Sequence, residues 1–316
     1  MKFKAITILL LLGPLLALAA PPAMAQPAGD IYVLNYWTST VGEYTTSGSP
    51  VNASLVTGIQ DLNYAAISGN SLYLSNEGSP NRVGEYNATT GAAIKSSLVT
   101  LSPGVAEGVA VSGGNLFLVD TADNVIGEYN ATTGAVINKS FITGLNLPTA
   151  IAISGNNLYV ADDRNGGGGY IGEYNATTGA VINADLVSPV YYPEGLAVSG
   201  NDLFVAGLTL GEYNATTGAA INADLVSPPG GGGFTGVAYF GGNLFTTNTP
   251  FGTIGAVGEY NATTGATVNA ALISGLGVPE GIVVVATPEP STWLMLANGG
   301  AALLACGLRT RRKLPC

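Results

Sequence analysis

The sequence predicts an all-β fold, a six-bladed β-propeller built from four-stranded blades. One reason is the nine-residue phrase Gly-Glu-Tyr-Asn-Ala-Thr-Thr-Gly-Ala, which occurs five times, with an eroded sixth copy at Gly42. Another is the spacing of these copies, 42, 43, 45, 39 and 47 residues, a period typical of stacked or radial repeat folds. A third is the density of short β-branched and aromatic runs between Gly, Asn, Asp and Ser, which indicates strands and hairpins. The intact copies begin at Gly84, Gly127, Gly172, Gly211 and Gly258.

One repeat contains four predicted strands, and the third repeat illustrates them. They cover residues 105–111, 116–120, 125–129 and 135–142, with a turn rich in Gly, Asn, Asp or Thr between each pair. Four strands in about 43 residues is the size of one propeller blade.

The two ends of the repeat region are each incomplete. The segment that begins at Ile31 lacks a first strand, and residues 279–285 form a first strand with nothing after it. Joining the two fragments completes one blade and removes the open sheet edges that favour aggregation. We therefore expect the ring to close between the N- and C-terminal segments.

The first 25 residues have the features of a secretory signal peptide. Lys2 and Lys4 precede an apolar run, and Ala23-Met24-Ala25 is a small-x-small cleavage site before Gln26. We expect cleavage between Ala25 and Gln26, and so an exported protein. The alternative is a retained N-terminal anchor, against which the short apolar run and the cleavage site both argue.

The C-terminal segment, residues 287–316, has three parts. Pro288-Glu289-Pro290 precedes a mostly apolar stretch over residues 293–308. A helix of this length spans about 24 Å, which is marginal for a hydrocarbon core of about 30 Å. The basic cluster after it would stay on the cytoplasmic side of the membrane, so we expect a weak or transient transmembrane anchor. The cluster consists of Arg309, Arg311, Arg312 and Lys313.

This order of Pro288-Glu289-Pro290, apolar helix and arginine cluster resembles the PEP-CTERM sorting signal of Gram-negative bacteria. The resemblance implies processing by exosortase, a membrane transpeptidase-like enzyme, in an organism that makes exopolysaccharide. It also implies export, membrane retention through the C-terminal helix, and cleavage near the Pro-Glu-Pro motif. One departure is Cys316, at the end of a slightly longer basic tail. The resemblance implies nothing about what the mature domain binds.

The central region also resembles a known class. Phrases such as Asn157-Leu158-Tyr159-Val160-Ala161-Asp162, and Pro193-Glu194-Gly195-Leu196 at a blade start, are similar to NHL-type and YVTN-type propellers. That class includes binding scaffolds and, more distantly, metal-dependent lactonases, whereas the signature of WD40 blades is absent. The predicted organisation is a signal peptide (1–25), a propeller (26–286) and a sorting segment (287–316).

The charge distribution excludes nucleic acid as a partner. All 20 acidic residues lie between Gln26 and Pro290, where only four residues are basic, so this segment carries a net charge of −16. Such a surface repels phosphate backbones and anionic lipid head groups. It is interpreted either as solubility outside the cell or as attraction for divalent cations. The four basic residues are Arg82, Lys95, Lys139 and Arg164.

Several catalytic classes are excluded by residue type. The chain has no His, which removes Ser-His-Asp and Cys-His catalysis and His-based metal sites. The only cysteines, Cys306 and Cys316, lie in the tail, so the propeller has no disulfide. The glycine runs at 166–169 and 230–233 lack the Lys-Ser/Thr of a phosphate-binding loop. We therefore predict no catalytic residue.

The repeated phrase is interpreted as scaffold. Six copies of Gly-Glu-Tyr are more than a functional site needs, and the Tyr should pack between blades on the face opposite the Glu. Each Asn-Ala-Thr-Thr-Gly contains a glycosylation sequon, but turn chemistry explains it better. The Asn side chain bonds the backbone two residues on, and Gly accepts the left-handed conformation. Asp120 and Asp162, at matching strand ends, are likewise interpreted as turn caps.

The blade-start position, aligned on the turn that follows the first strand, varies between blades and is the best candidate site. This position alternates between Glu and an amide or hydroxyl residue, and it should lie near one mouth of the central channel. Three carboxylates there would repel one another unless protonated, solvated or bridged by a cation such as Ca²⁺ or Mg²⁺. Two interpretations stay open, a water-filled acidic mouth and a calcium site formed by Glu107, Glu194, Glu280 and Asn63. The full series is Asn63, Glu107, Thr149, Glu194, Thr235 and Glu280.

Loop aromatic residues offer a second hypothesis, stacking on sugar rings, although such residues more often pack internally. They are Tyr170, Tyr191, Tyr192, Phe234 and Phe251. We expect an exported, non-enzymatic propeller of the cell envelope or extracellular matrix, with exopolysaccharide or an envelope protein as partner. The alternatives are a metal-dependent, lactonase-like hydrolase using Glu107, Asn63 and Glu194, and a purely structural surface-layer protein.

Overall fold

A computed structural model describes residues 28–164, 168–250 and 254–287. These residues form six four-stranded antiparallel sheets arranged as the blades of a propeller, so the predicted fold class is confirmed. The short strands follow from β-branched and aromatic runs that are interrupted by turn residues every five to ten positions.

Each blade runs from an innermost strand at the channel to an outermost strand at the rim. Blade 1 contains β24 (Pro279–Ala286), β1 (Gly29–Asn35), β2 (Thr40–Thr45) and β3 (Pro50–Thr57). Blade 2 contains β4 (Leu62–Ser68), β5 (Ser71–Asn76), β6 (Arg82–Asn87) and β7 (Ala93–Thr100). Blade 3 contains β8 (Ala106–Ser112), β9 (Asn115–Asp120), β10 (Val125–Asn130) and β11 (Val136–Ile142).

Blade 4 contains β12 (Pro148–Ser154), β13 (Asn157–Asp162), β14 (Gly169–Asn175) and β15 (Val181–Val190). Blade 5 contains β16 (Gly195–Ser199), β17 (Asp202–Ala206), β18 (Leu210–Asn214) and β19 (Ala220–Val226). Blade 6 contains β20 (Phe234–Phe240), β21 (Asn243–Asn248), β22 (Gly255–Asn261) and β23 (Thr267–Leu276).

The ring closes as the sequence predicts. β24 pairs antiparallel with β1, with Ile31 opposite Val284, so blade 1 is assembled from both ends of the chain. The innermost strands β4, β8, β12, β16, β20 and β24 each contact the next and line the channel. Closure thereby gives blade 1 the same four strands as its neighbours.

The repeated Gly-Glu-Tyr forms the contacts between blades. In each copy the Tyr ring folds back over the Gly two residues earlier, and a Cβ on Gly127 would lie 2.7 Å from the ring of Tyr129. That ring is buried against Tyr73 and Val83 of the preceding blade. The Glu lies on the other face, where Glu128 accepts a hydrogen bond of 2.7 Å from Asn115 within its own blade. Scaffold is therefore the correct interpretation.

The Asn-Ala-Thr-Thr-Gly segments are turns. The Asn130 side-chain oxygen accepts hydrogen bonds from the backbone N–H of Thr132 (3.1 Å) and of Thr133 (2.8 Å), and from the Thr133 hydroxyl. Gly134 has a φ of 75°, in the left-handed region. A Cβ on Gly134 would also collide with the carbonyl oxygen of Leu98 in the preceding blade. The turn thus requires Gly for both conformation and space.

Apart from Thr287, both predicted targeting segments lie outside the described residues. These segments include the cleavage site at Ala25 and Gln26, the motif Pro288-Glu289-Pro290, the helix over residues 293–308 and the cluster Arg309, Arg311, Arg312 and Lys313. Within the described ranges, no helix is sufficiently long and apolar to cross a membrane.

Candidate functional site at the channel mouth

The blade-start residues occupy equivalent positions at one end of the channel. Asn63, Glu107, Thr149, Thr235 and Glu280 are each the second residue of an innermost strand, and Glu194 directly precedes β16. Because the innermost strands are neighbours around the ring, these residues surround one mouth of the channel. We call this end of the propeller the mouth face.

The alternation of Glu with other residues corresponds to hydrogen bonds between neighbouring blades. Asn63 donates to the Glu107 carboxyl at 3.3 Å. The Thr149 hydroxyl donates to the Pro193 carbonyl at 2.6 Å, and Thr235 does the same to the Pro279 carbonyl at 2.9 Å. Each of these three side chains therefore donates a hydrogen bond to the next blade along the chain. The acceptor there is either the blade-start Glu or the Pro that precedes it. The non-Glu positions serve to join blades in pairs.

Glu77 is a member of this site that sequence reasoning missed. Its carboxyl accepts a hydrogen bond from Asn63 and is hydrogen-bonded to Glu107. It lies in the β5–β6 connection of blade 2, where the repeat has no regular pattern. The preceding Asn76 ends a strand and suggests only a turn, so no sequence signal distinguishes Glu77 from an ordinary loop residue.

Burial keeps the mouth carboxyls protonated at higher pH than usual. Desolvation, with the adjacent Glu77 as the next cause, raises the pKa of Glu107 to about 10. Desolvation raises the pKa of Glu280 to about 8 and that of Glu194 to about 7. With pKa values raised in this way, protonation relieves part of the repulsion among these carboxyls.

The calcium hypothesis stays a prediction. Within the described ranges, no group of three or more His, Cys, Asp or Glu side chains is close enough to hold a metal ion. The structure brings Asn63 into contact with Glu107, whereas Glu194 interacts through its backbone carbonyl with Tyr64. A hard cation at this mouth would be coordinated by side-chain oxygen atoms of Glu107, Glu77 and Asn63, which the structure brings together.

The Tyr64 side chain crosses the channel beneath the mouth. It follows Asn63, at a position where the other five blades have Gly108, Ala150, Gly195, Gly236 and Gly281. These small residues are needed because the innermost strands approach closely; a Cβ on Gly281 would lie 2.5 Å from the Asn63 carbonyl oxygen. The space they leave accommodates the Tyr64 ring, whose hydroxyl donates to the Glu194 carbonyl at 2.7 Å.

Below Tyr64 the channel contains a cavity of about 330 Å³ whose lining side chains are mostly apolar. Its walls include Ile67, Val109, Ile151, Val198 and Val283 from five different blades. The channel is therefore divided into a polar mouth and an apolar interior, with Tyr64 at the boundary. Burial, followed by the charges of Glu107 and Glu194, raises the pKa of Tyr64, so its hydroxyl remains a donor.

The aromatic residues expected in loops divide into two groups. Tyr170 and Phe234 are buried and belong to β14 and β20, so the expectation that they are available to sugar rings is wrong. Tyr170 donates to Asp162 at 2.6 Å, and Phe234 packs edge-on against Tyr260. Tyr191 and Tyr192 are exposed, at 54% and 47%. Phe251 lies outside the described residues.

Comparison with known proteins supports the fold. No protein-family model matches the chain, and no curated protein matches it. A chain in the crystal structure of a nidogen/laminin complex is similar, with a TM-score of 0.59 and 14% identity, covering 82% of this chain and 98% of that chain. The computationally designed Ika8 protein gives a TM-score of 0.46 and 15% identity over 77% of this chain and 74% of its own. At 14% identity the likeness to the chain of the nidogen/laminin complex shows the fold alone.

Proposed function

We propose that this protein is an exported, non-enzymatic propeller that binds a partner in the cell envelope or extracellular matrix. The observation that carries the proposal is the difference between its two faces. One face has Asn-Ala-Thr-Thr-Gly turns of nearly constant geometry, whereas the mouth face has connections of unequal length with exposed aromatic residues. Propellers commonly bind through such variable loops, which a rigid scaffold positions.

Three further features support a binding role. The chain has no His, so the commonest general base is missing. The Tyr64 side chain crosses the channel beneath the mouth, which narrows the path to the interior. The similar propeller chain was found in a complex of two proteins, nidogen and laminin.

We further propose that the chain reaches its site through its two ends. The signal peptide directs export, and the segment around Pro288-Glu289-Pro290 retains the chain in the inner membrane until an exosortase cleaves it. The protein then acts at the outer envelope, the cell surface or outside the cell. The intact mass of the protein from envelope and medium tests this step. A C-terminus near Pro288 supports processing, and a full tail in every fraction contradicts it.

The binding role is tested by retention of native exopolysaccharide and of solubilised envelope proteins on the immobilised protein. Exopolysaccharide retained above an unrelated acidic control protein supports the proposal in its preferred form. An envelope protein retained instead supports a protein partner. No retention of either, or lactone turnover that requires Ca²⁺ and stops with a chelator, would overturn it.

A further inference from the structure

Blade 5 has a cleft on the mouth face because one of its connections is short. β17 and β18 are joined by only Gly207-Leu208-Thr209, whereas the corresponding connections of the other blades take four to six residues. The same shortening produces the smallest repeat spacing in the sequence, 39 residues. The neighbouring loops at 191–194 and 227–233 therefore face each other across a gap.

Gly207 allows this arrangement. The other blades have Asp or Asn at this strand end, namely Asn35, Asn76, Asp120, Asp162 and Asn248. In blade 5 the carbonyl oxygens of Tyr191 and Tyr192 each lie 2.6 Å from where a Cβ of Gly207 would be. Any larger residue would displace the loop that presents the two tyrosines.

Hydrogen bonds hold the walls of the cleft in place. Leu208 N–H donates to the Tyr191 carbonyl at 3.2 Å, and Phe234 N–H donates to the Gly207 carbonyl at 2.8 Å. The Asn248 side chain donates to the Gly233 carbonyl at 2.7 Å. The 191–194 loop and the residue that follows the 227–233 loop are thus both hydrogen-bonded to the short turn between β17 and β18. This arrangement makes the cleft preorganised for binding.

Two cavities of about 280 and about 290 Å³ meet at Leu208. The second lies in this gap, whereas the first lies between Tyr191 and strands β18 and β19. We call the two cavities together the blade 5 cleft. The first includes Tyr191, Thr209 and Asp224, and the second includes Tyr192, Thr235 and Glu194. Leu208, 47% exposed, borders both. Each cavity is therefore bordered by at least one Tyr, one acidic residue and at least one Thr, and each is near the lower end of the size range of small-molecule sites.

This combination fits a sugar unit. A pyranose ring has an apolar face that stacks on an aromatic ring, and hydroxyls that exchange hydrogen bonds with carboxyl and hydroxyl groups. Two similar cavities side by side match the repeating units of a polymer. The net charge of −16 over residues 26–290, together with a carboxyl in each cavity, disfavours an acidic polymer.

We infer that the blade 5 cleft binds two successive units of an uncharged polysaccharide, with Tyr191 and Tyr192 as the stacking residues and Asp224 and Glu194 as hydrogen-bonding partners. This inference rests on the proposed function and adds a site and a ligand chemistry to it. A proline-rich peptide also docks on aromatic residues, but it makes no use of a carboxyl in each cavity.

Affinity electrophoresis of the full chain in native gels tests the inference. The gels contain dextran, galactomannan, a mixed-linkage glucan or the exopolysaccharide of the source organism, and alginate represents acidic polymers. We expect retardation by at least one neutral polymer and none by alginate. Tyr192→Ala and Asp224→Asn should each weaken binding about tenfold or more, as expected for the loss of one stacking or charge-assisted contact.

Trp37→Ala is the matched control. Trp37 is 74% exposed on the mouth face, in the β1–β2 connection of blade 1, and lies outside the proposed cleft. Its replacement should leave retardation unchanged. Circular dichroism of all variants shows whether each is folded, so that weak binding is not confused with unfolding.

The outcomes separate this inference from the proposed function. If the protein is retarded but Tyr192→Ala and Asp224→Asn behave like Trp37→Ala, the cleft is not the site and the binding function stands. Retardation by alginate alone, or binding only to a proline-rich peptide, overturns the ligand chemistry. If envelope protein is captured and no polysaccharide is bound, the inference fails while a protein-binding function remains.

Discussion

The Tyr64 hydroxyl of blade 2 donates a hydrogen bond of 2.7 Å to the Glu194 carbonyl of blade 5, directly across the channel. The two residues are 130 positions apart in the chain. This bond connects opposite sides of a ring in which the innermost strands contact their immediate neighbours. Tyr64 consequently braces the ring, because its side chain crosses the channel and links two opposite blades.

Removing the hydroxyl of Tyr64 should weaken the ring. Tyr64→Phe leaves the Glu194 carbonyl without its donor, and we expect the free energy of unfolding to fall by about 1 kcal/mol. Urea denaturation measures this change. Tyr191→Phe, at an exposed position, is the control and should have almost no effect. Equal effects of the two substitutions would contradict the bracing role.

Stability should decrease as pH rises. The pKa of Glu107 is raised from 4.5 to about 10, so between these values the folded protein keeps a proton that the unfolded chain has lost. The free energy of unfolding is then highest below pH 4.5 as far as this group is concerned, and falls progressively up to about pH 10. Glu280 and Glu194 act in the same direction up to about pH 8 and pH 7.

Glu107→Gln should therefore flatten this dependence. The amide keeps the shape of the protonated carboxyl and cannot ionise. The free energy of unfolding of the variant, relative to that of the original chain, should therefore be higher at pH 9 than at pH 5. Thermal unfolding followed across this range is the measurement. Trp37→Ala, which changes an exposed residue without a titratable group, should preserve the original slope. An unchanged slope in Glu107→Gln would show that the group does not titrate as described.

Calcium titration distinguishes the two interpretations of the mouth. The calcium hypothesis predicts that heat is released or absorbed when Ca²⁺ is titrated into the protein at a pH above the pKa values of the mouth carboxyls. It also predicts that this heat is lost in Glu107→Gln and in Glu194→Gln. It also predicts a higher melting temperature in excess calcium, because a bound ion stabilises the folded state. Absence of heat in the unmodified protein would exclude the calcium site and leave the water-filled acidic mouth.

The Gly of Gly-Glu-Tyr should be intolerant of a side chain. In Gly127→Ala the new Cβ would meet the Tyr129 ring at 2.7 Å, and overpacking of this kind costs about 1–3 kcal/mol. Urea denaturation of the single and double variants with Tyr129→Ala checks the cause. If the clash is responsible, Gly127→Ala should cost little once the ring is absent. Additive losses would indicate a different origin.

The Asn of the repeated turn should act as a hydrogen-bond acceptor. Asn130→Ala removes the oxygen that three donors share, and we expect a loss of about 1 kcal/mol in the free energy of unfolding. Asn130→Asp retains an acceptor and should be close to neutral, although it destroys the sequon. A large loss in Asn130→Asp when the protein is made in its own host would instead favour glycosylation.

Much of the fold was predictable because each blade repeats the same local signals. Turn residues determine where strands end, and the Gly-Glu-Tyr alternation determines which faces are buried. The incomplete first and last segments also predict the pairing of β24 with β1, which the structure confirms. Neighbouring glycines predict loops at Tyr170 and Phe234, whereas pairing with Asp162 and with Asn248 places the two residues in strands.

The candidate site was predictable only in part. The alternating Glu positions stand out because they interrupt a regular repeat, and their place at the mouth follows from strand direction. Glu77 and Tyr64 have no such signal, since a single irregular residue in one blade has no meaning until its neighbours across the ring are known. The short repeat spacing of 39 residues indicates that blade 5 has a shortened connection. It does not indicate which loops lie next to that connection.

The sequence by itself determined the number of blades, their closure, the scaffold role of the repeated phrase and the mouth position of the alternating Glu residues. These properties depend on period, turn chemistry and strand direction, which are local and recur. Only the tertiary structure decided that Tyr64 reaches Glu194, that Glu77 shares a hydrogen bond with Glu107, and that two tyrosines border adjacent cavities. Such contacts join residues far apart in the chain, and closure of the ring alone sets the distances between them.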